Sequence, residues 1–434
     1  MKFQLLLTAF AATVSTTTMA NEFVNKPSSL DIPIATLNQA GFTAEGLKRI
    51  DTFFASEIEK KRVPGGVVGI VRDGKLVYLK AHGTQNPETQ EPMKVDTIFA
   101  LASMTKPMVS VGTLTLTQQA KLPLFSKVSD YYPDVANMKV AIKKSDGSTD
   151  YENVKNPMTV QDLMRHTSGL TYGGRPDTSS PAAKLYPSGN DAANSNGTLD
   201  FMSKITKLPL VYQPGTIFEY SLSHDVLGSV VEKVSGKSLD AYLRESIWSP
   251  LKMNDTGFWV PSTKLSRLAK SQINPKTGKP FIGSPANSLP KLLNGGGGLI
   301  STASDYARFS QMMLNLGELE GARILSRKSI ELMTSNHLPP AVSFTNVVNF
   351  RWGSTGPTPA AGMGFGLGFA VRLENGRSTL PGSTGELWWL GSTGTNFVID
   401  PKEKLILILL TQQPDRLSDY LNLMRQMGYA MLVD

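Results

Sequence analysis

Residues 67–83 read VVGIVRDGKLVYLKAHG, and their reading decides the fold. Apolar side chains alternate on both sides of Asp73-Gly74, a dipeptide that accepts the positive backbone angles of a tight type I′ turn. The stretch is therefore an antiparallel hairpin near the start of the chain. Just before it, Thr43-Ala44-Glu45-Gly46 opens a helix in which Leu47, Ile50, Phe53, Phe54 and Ile58 recur at helical spacing. Strand-like runs return only after Gly362, as GFGLGFAVRLE, GTNFVIDP and KLILILLTQQ, followed by a helix over 417–431. The intervening 100–335 shows helical patterns at 159–166, 224–235, 238–248 and 304–316, separated by loops rich in Pro, Gly and Asn. Strands and a helix at both ends predict an α+β fold. One antiparallel sheet would be built from both chain ends, 41–98 and 340–434, and flanked by helices, with a mainly helical domain inserted over 99–339.

Composition narrows the class. Of 434 residues, 40% are hydrophobic and 18% charged, a globular balance. The first twenty, MKFQLLLTAFAATVSTTTMA, have one lysine, an apolar run from Leu5 to Val14 and small residues at the end, the pattern of a secretory signal cut before Asn21. Export, with a periplasmic location, is the expectation. A polar, proline-containing leader over 21–40 would drape over the fold. The strongest later apolar run, Leu405 to Leu410, falls far short of the roughly 18 residues that span a bilayer, so no membrane span is expected. The absence of cysteine excludes disulfides, thiol nucleophiles and thiolate metal sites. A formal charge of +8 is spread without any run of five like charges, which argues against a nucleic-acid partner.

The chemistry starts from FALASMTKPMVS, residues 99–110, where a lysine follows a serine by three places in a nearly uncharged stretch. Positions i and i+3 share a helix face, so Ser103 and Lys106 can meet. Burial of the amine among Phe99, Met104 and Met108 would make it a proton acceptor for the hydroxyl. Pro107 fits only near a helix start, which puts Ser103 where backbone amides and the helix dipole favour negative charge. Ser-x-x-Lys also occurs at Ser249/Lys252 and Ser288/Lys291, but there a proline separates the partners and surface loop is the better reading. A second segment, PGTIFEYSLSHDVLGSVVEKVSG, places Tyr220 just ahead of a helix beginning at Ser223, where a phenol beside a lysine can pass protons. A third, GELWWLGSTGTNFVIDP, has Gly391 and Gly394 at a strand, which implies close approach of a backbone or a ligand, and an amide there could hold an oxyanion.

These segments, in this order, resemble the serine β-lactamase and penicillin-binding-protein superfamily, and most closely its class C-like branch of family VIII carboxylesterases. VPGGVVGIVRDGKLVY, DTIFALASMTKPM, MTVQDLMRHTSGLTYG, YQPGTIFEYSLSHDVLG, GGGGLISTASDYARF and FGLGFAV carry the similarity over nearly the whole chain after the signal. The resemblance implies a β-lactamase-like fold with Ser103 as the acylated serine, Lys106 as its partner and Tyr220 as the tyrosine of the second motif. It makes the backbone amides of Ser103 and Ser392 the oxyanion hole. Trp389-Leu390-Gly391 stands where β-lactamases have Lys-Thr-Gly, and Tyr172 matches a pocket-lining tyrosine. Trp388, Trp389, Gly391 and Tyr172 are thus the expected substrate-binding residues.

Two departures from the β-lactamases set the expected substrate. Leu222 stands where class C enzymes have an asparagine two places after the tyrosine, and neutral Trp389 replaces the lysine that attracts a β-lactam carboxylate. Both point to uncharged esters. The literal Lys276-Thr277-Gly278 lies in NPKTGKP, a turn between prolines. The four histidines, His82, His166, His224 and His337, form no metal-binding motif, and no Gly-x-Ser-x-Gly elbow occurs. Asn294 to Gly298, NGGGG, lacks the rest of a P-loop and reads as a loop that lets backbone pack closely, while His166 reads as a helix end closed by glycine. The expectation is an exported carboxylesterase acting on a small-molecule ester or amide without a cofactor or metal. The alternatives are a β-lactamase or D-alanyl-D-alanine carboxypeptidase/esterase on the same residues, and a non-catalytic cell-wall ligand sensor. Oligomeric state is not legible.

Overall fold

The computed structural model describes residues 22–25, 32–174, 180–283, 285, 287–344 and 356–433. The signal segment expected over 1–20 lies outside the described residues. The hairpin at Asp73-Gly74 joins β1 (Gly65–Arg72) to β2 (Lys75–Asn86), and both turn residues have positive φ, 49° and 71°, as a type I′ turn requires. β3 (Glu91–Pro92) pairs antiparallel with the end of β2. The C-terminal runs become β4 (Met363–Phe365), β5 (Ala370–Arg372), β6 (Leu387–Gly391), β7 (Thr395–Asp400) and β8 (Leu405–Thr411). All eight form one sheet in the order β4-β5-β6-β7-β8-β1-β2-β3. The two chain ends meet where β1 pairs antiparallel with β8, from Gly66 opposite Thr411 to Arg72 opposite Leu405.

Every residue of β7 and β8 is buried, so both sheet faces must be covered. One face carries α1 (Ala44–Glu59), whose Thr43 hydroxyl caps it by accepting from the Gly46 amide, and α6 (Leu417–Tyr429). Leu407 of β8 meets α6 at Gly428, where a Cβ would lie 2.5 Å from the leucine side chain. The other face carries α5 (Ala303–Leu314), whose Tyr306 ring lies 5.0 Å from that of Phe397 in β7. This second cover comes from inside the stretch expected as a separate insertion. Phe99–Ala100 pairs with Ile300–Ser301 outside the main sheet, so the excursion closes near residue 300, and α5 brings the chain back onto the face of the sheet well before 339.

The excursion holds α2 (Thr105–Gln118), α3 (Val160–Met164) and α4 (Ser223–Ser235). It also holds a hairpin, Lys139–Lys143 with Thr149–Asn153, whose strands are five residues each and whose second strand, TDYEN, is largely polar, so the helical reading of this stretch missed it. The leader packs as a cover. Val24 and Ile34 bridge to Leu79 and Leu76 of β2, and Phe23, Ile32 and Ala35 are buried.

Candidate active site

Ala102–Met104 is a single 3₁₀ turn leading directly into α2, and residues 105–116 of α2 are all buried. A helix buried on every side lies in the middle of the protein, and its start is held against the sheet. Ala102 has a φ of +46°, a left-handed conformation unusual for a residue with a side chain, immediately before Ser103. Ser103 is half-buried. The Lys106 amine, fully buried one turn on, lies 3.1 Å from Ser103 Oγ and donates at 2.6 Å to the carbonyl of Gly296.

Gly296 belongs to the NGGGG loop. A Cβ at Gly295 would come within 2.4 Å of the His224 carbonyl, and one at Gly296 within 2.4 Å of Asp225 Oδ2, so only glycines let this loop lie on the first turn of α4. The close packing read from the sequence is found, and it delivers a ligand for the lysine that sequence reasoning did not identify. Tyr220, just ahead of α4, has its ring centroid 4.5 Å from Lys106 Nζ. Its hydroxyl accepts from Trp389 Nε1 at 3.3 Å. The helix begins at Ser223 as expected but without a side-chain cap. Tyr172 completes the cluster, with its ring 5.8 Å from Lys106 Nζ and 5.8 Å from the Tyr220 ring.

Asp225, also unforeseen, lies at the back of this cluster. Its carboxyl is pushed up to about 6, chiefly by burial, against the opposing pull of Lys106, the Gly296 amide at 3.2 Å and a hydrogen bond to Tyr172. His224, fully buried with Nε2 3.0 Å from Ser110 Oγ, is held well below the ordinary imidazole range by burial first and Lys106 second.

Ser392 sits in the β6–β7 turn, exposed, with Gly391 buried before it. Three side chains tie this hairpin and β8 to the strand before Ser103. Thr393 Oγ1 and Gln412 Nε2 donate to the Ala100 carbonyl at 2.7 and 3.1 Å, and Thr395 Oγ1 donates to that of Leu101 at 2.9 Å. Gly391 explains itself at the same contact, because a Cβ there would lie 2.0 Å from the Leu101 carbonyl oxygen. The close approach expected at this glycine is made by backbone, the carbonyl of Leu101 in the nucleophile turn.

The tryptophans require correction. Neighbours along a strand point to opposite faces. Trp389 pairs with Phe397 and so faces α5 and the Ser103 cluster, whereas Trp388 pairs with Val398, itself opposite Leu407, and faces α6. There Trp388 lies under the Arg425 guanidinium, 4.9 Å from ring to charge, and contributes nothing to a substrate pocket. Trp389 is on the correct face but fully buried, wedged between Tyr220 and Phe365 at 5.4 and 5.2 Å, so it acts on the site through the Tyr220 hydroxyl. His166 also differs from expectation. The residue itself takes the left-handed turn at the end of α3, and its ring is buried 4.5 Å from Tyr220 and 4.9 Å from His224. Lys276-Thr277-Gly278 is a turn, closed by the Gly278 amide donating to the Asn274 carbonyl. Among the described residues no group of three or more His, Asp or Glu side chains is gathered as metal ligands would be.

A serine and a lysine in one helical turn, a tyrosine over the amine, and an α+β sheet closed by both chain ends define a β-lactamase-fold serine hydrolase. The chain belongs to the family described as Beta-lactamase, whose model matches residues 50–427. It is 32% identical to Protein Rv1367c of Mycobacterium tuberculosis, over 81% of this chain and 86% of that protein. It is 27% identical to Esterase EstB of Burkholderia gladioli, over 88% and 94%. Among solved structures, EstCE1, described as a hydrolase with promiscuous acyltransferase activity, superposes with a TM-score of 0.72 at 25% identity, covering 91% of this chain and 100% of that one.

Proposed function

We propose that the protein is an exported carboxylesterase that cleaves small uncharged esters through an acyl-enzyme on Ser103. The reading rests on one observation above all: the buried Lys106 amine lies 3.1 Å from Ser103 Oγ, with the Tyr220 ring 4.5 Å from the amine. In the proposed reaction the Ser103 hydroxyl gives its proton to the Lys106/Tyr220 pair as Oγ attacks the ester carbonyl carbon. The amides of Ser103 and Ser392 hold the oxyanion. The tetrahedral species then collapses, the C–O bond to the alcohol breaks, and the alcohol departs with that proton. A water molecule, deprotonated by the same pair, attacks the acyl carbonyl, and the carboxylic acid leaves as Ser103 regains its hydroxyl.

Substrate charge follows from what surrounds the amine. Tyr172 and Tyr220 border it, Trp389 backs Tyr220, and a neutral tryptophan stands where Lys-Thr-Gly would supply a cation, so an anionic β-lactam lacks its partner. The similarity to EstB supports the same choice. Initial rates with p-nitrophenyl butyrate and with nitrocefin test it. Efficient ester hydrolysis with weak nitrocefin turnover is expected, and a strong preference for nitrocefin would replace the esterase reading with a β-lactamase one. Secretion is tested by fractionation, with the mature chain expected in the periplasm beginning at Asn21.

A further inference from the structure

We propose that His166 is a positioning residue for Tyr220, holding the backbone on both sides of the tyrosine from a single side chain and its own carbonyl. The inference rests on the proposed role of Tyr220 in proton transfer. His166 follows α3 with a φ of +57°, a conformation that His adopts more readily than most side chains. Two backbone donors converge on it. The Glu219 amide donates to the His166 carbonyl at 2.9 Å, and the Ser221 amide donates to His166 Nδ1 at 3.3 Å. The residue between those donors is Tyr220, whose ring lies 4.5 Å from the imidazole.

The left-handed turn is what makes this arrangement possible. It carries the chain after His166 away from the Tyr220 segment, and the next amide, that of Thr167, turns back to the Asp162 carbonyl. No backbone carbonyl then follows on to meet Ser221, and the ring nitrogen takes that place. Acceptance at Nδ1 requires that nitrogen to be bare, which leaves the ring proton on Nε2. The contact continues through hydroxyls, with Ser221 Oγ 2.7 Å from Ser223 Oγ and Ser223 Oγ 2.7 Å from Ser168 Oγ. All of this is buried, so the Ser221 amide has no water to fall back on. The position of the Tyr220 hydroxyl relative to Lys106 and Trp389 is thus set by the turn that follows α3.

Separating the acceptor from the ring tests this. His166→Phe keeps the aromatic contact and removes the acceptor, while His166→Asn keeps an acceptor at the Nδ1 position and tolerates the left-handed backbone. With p-nitrophenyl butyrate, His166→Phe is expected to lose about 100-fold in kcat, the effect of an ångström-scale misplacement, with KM within about twofold of wild type. His166→Asn is expected to recover to within about tenfold of wild type. The ratio of His166→Phe to wild-type kcat is expected to stay constant from about pH 6 to about pH 9, since His166 exchanges no proton with substrate. Wild-type kcat in His166→Phe, equal losses in the two variants, or a ratio that changes with pH would each overturn the proposal. If His166→Phe does not fold, His166→Gly relieves the backbone and opens a ring-sized space. Added imidazole is then expected to restore turnover and pyrrole, which has no acceptor, is not; equal rescue by both would overturn it. Tyr220→Phe measured in parallel separates the two readings. Full activity there removes the role of Tyr220 itself, whereas an inactive Tyr220→Phe beside a fully active His166→Phe removes only the role of His166.

Discussion

Ser103 and Lys106, three residues apart on one turn, meet wherever the helix goes, while the groups that surround the amine come from distant segments. Lys106 and the Gly296 carbonyl are 190 residues apart, and Asp225 and the Gly296 amide are 71 apart, so no spacing rule joins them. The run NGGGG gave a signal, but of close approach only, without naming what approached. Trp388 and Trp389 were legible as a strand pair, yet which of them faces the amine depends on the pairing of β6 with β7 and β8. Tyr220 is the residue whose chemistry is most exposed to test. Removing its hydroxyl leaves Trp389 Nε1 without that acceptor and the Ser103 proton without one of its carriers. Tyr220→Phe is therefore expected to lower kcat for p-nitrophenyl butyrate by about 10²- to 10⁴-fold, the range for removal of a general acid–base group, with KM little changed and the fold intact by circular dichroism. An unaltered kcat would remove the tyrosine from the proton path.

At the scale of elements, the nucleophile turn and the β6–β7 hairpin behave as one unit. Ala100 and Leu101 give their carbonyls to Thr393, Thr395 and Gln412, and the left-handed Ala102 between them and Ser103 is held by those bonds. This positions two amides, those of Ser103 and Ser392, on segments that cannot move independently. Gly391→Ala drives a methyl to within 2.0 Å of the Leu101 carbonyl oxygen. Separation of the two segments is expected to cost about 1–3 kcal/mol in urea unfolding, as overpacking generally does, and to lower kcat together with stability. Wild-type stability and kcat in this variant would show that the two segments are not coupled. The hairpin at Asp73-Gly74, the helix opened by Thr43 and the strands after Gly362 were all legible from alternation and turn chemistry. The hairpin at 139–153 and the placement of α5 on the sheet were not, the first because its strands are short and the second of them is largely polar, the second because a buried helix does not announce its partner.

For the whole molecule, two carboxyls buried beside the sheet and the site make stability depend on pH. Asp305 in the first turn of α5 accepts from Thr256 Oγ1 and the Asp255 amide, both at 2.8 Å, yet its carboxyl is pushed up to about 6 by burial. Asp225 is pushed up to about 6 for the same reason. A carboxyl raised from 3.8 favours the fold when protonated, so its contribution is fully present below about pH 4 and is lost as the pH climbs through about 6. The part that depends on pH is on the order of 3 kcal/mol between about pH 4 and about pH 7. Asp305→Asn, which keeps an acceptor and removes the ionisation, is expected to gain stability relative to wild type as the pH rises from about 4 to about 7 in urea unfolding. A difference between the two proteins that is flat with pH would show that Asp305 is not destabilised by its charge.

The chemistry proposed for the whole chain depends on Ser103 being the hydroxyl that attacks. Labelling the intact protein with a fluorophosphonate, followed by proteolysis and mass spectrometry, tests this most directly. One phosphonyl group on the peptide containing Ser103, absent in Ser103→Ala together with ester hydrolysis, is the result predicted. A label on another serine, or ester hydrolysis undiminished in Ser103→Ala, would contradict it.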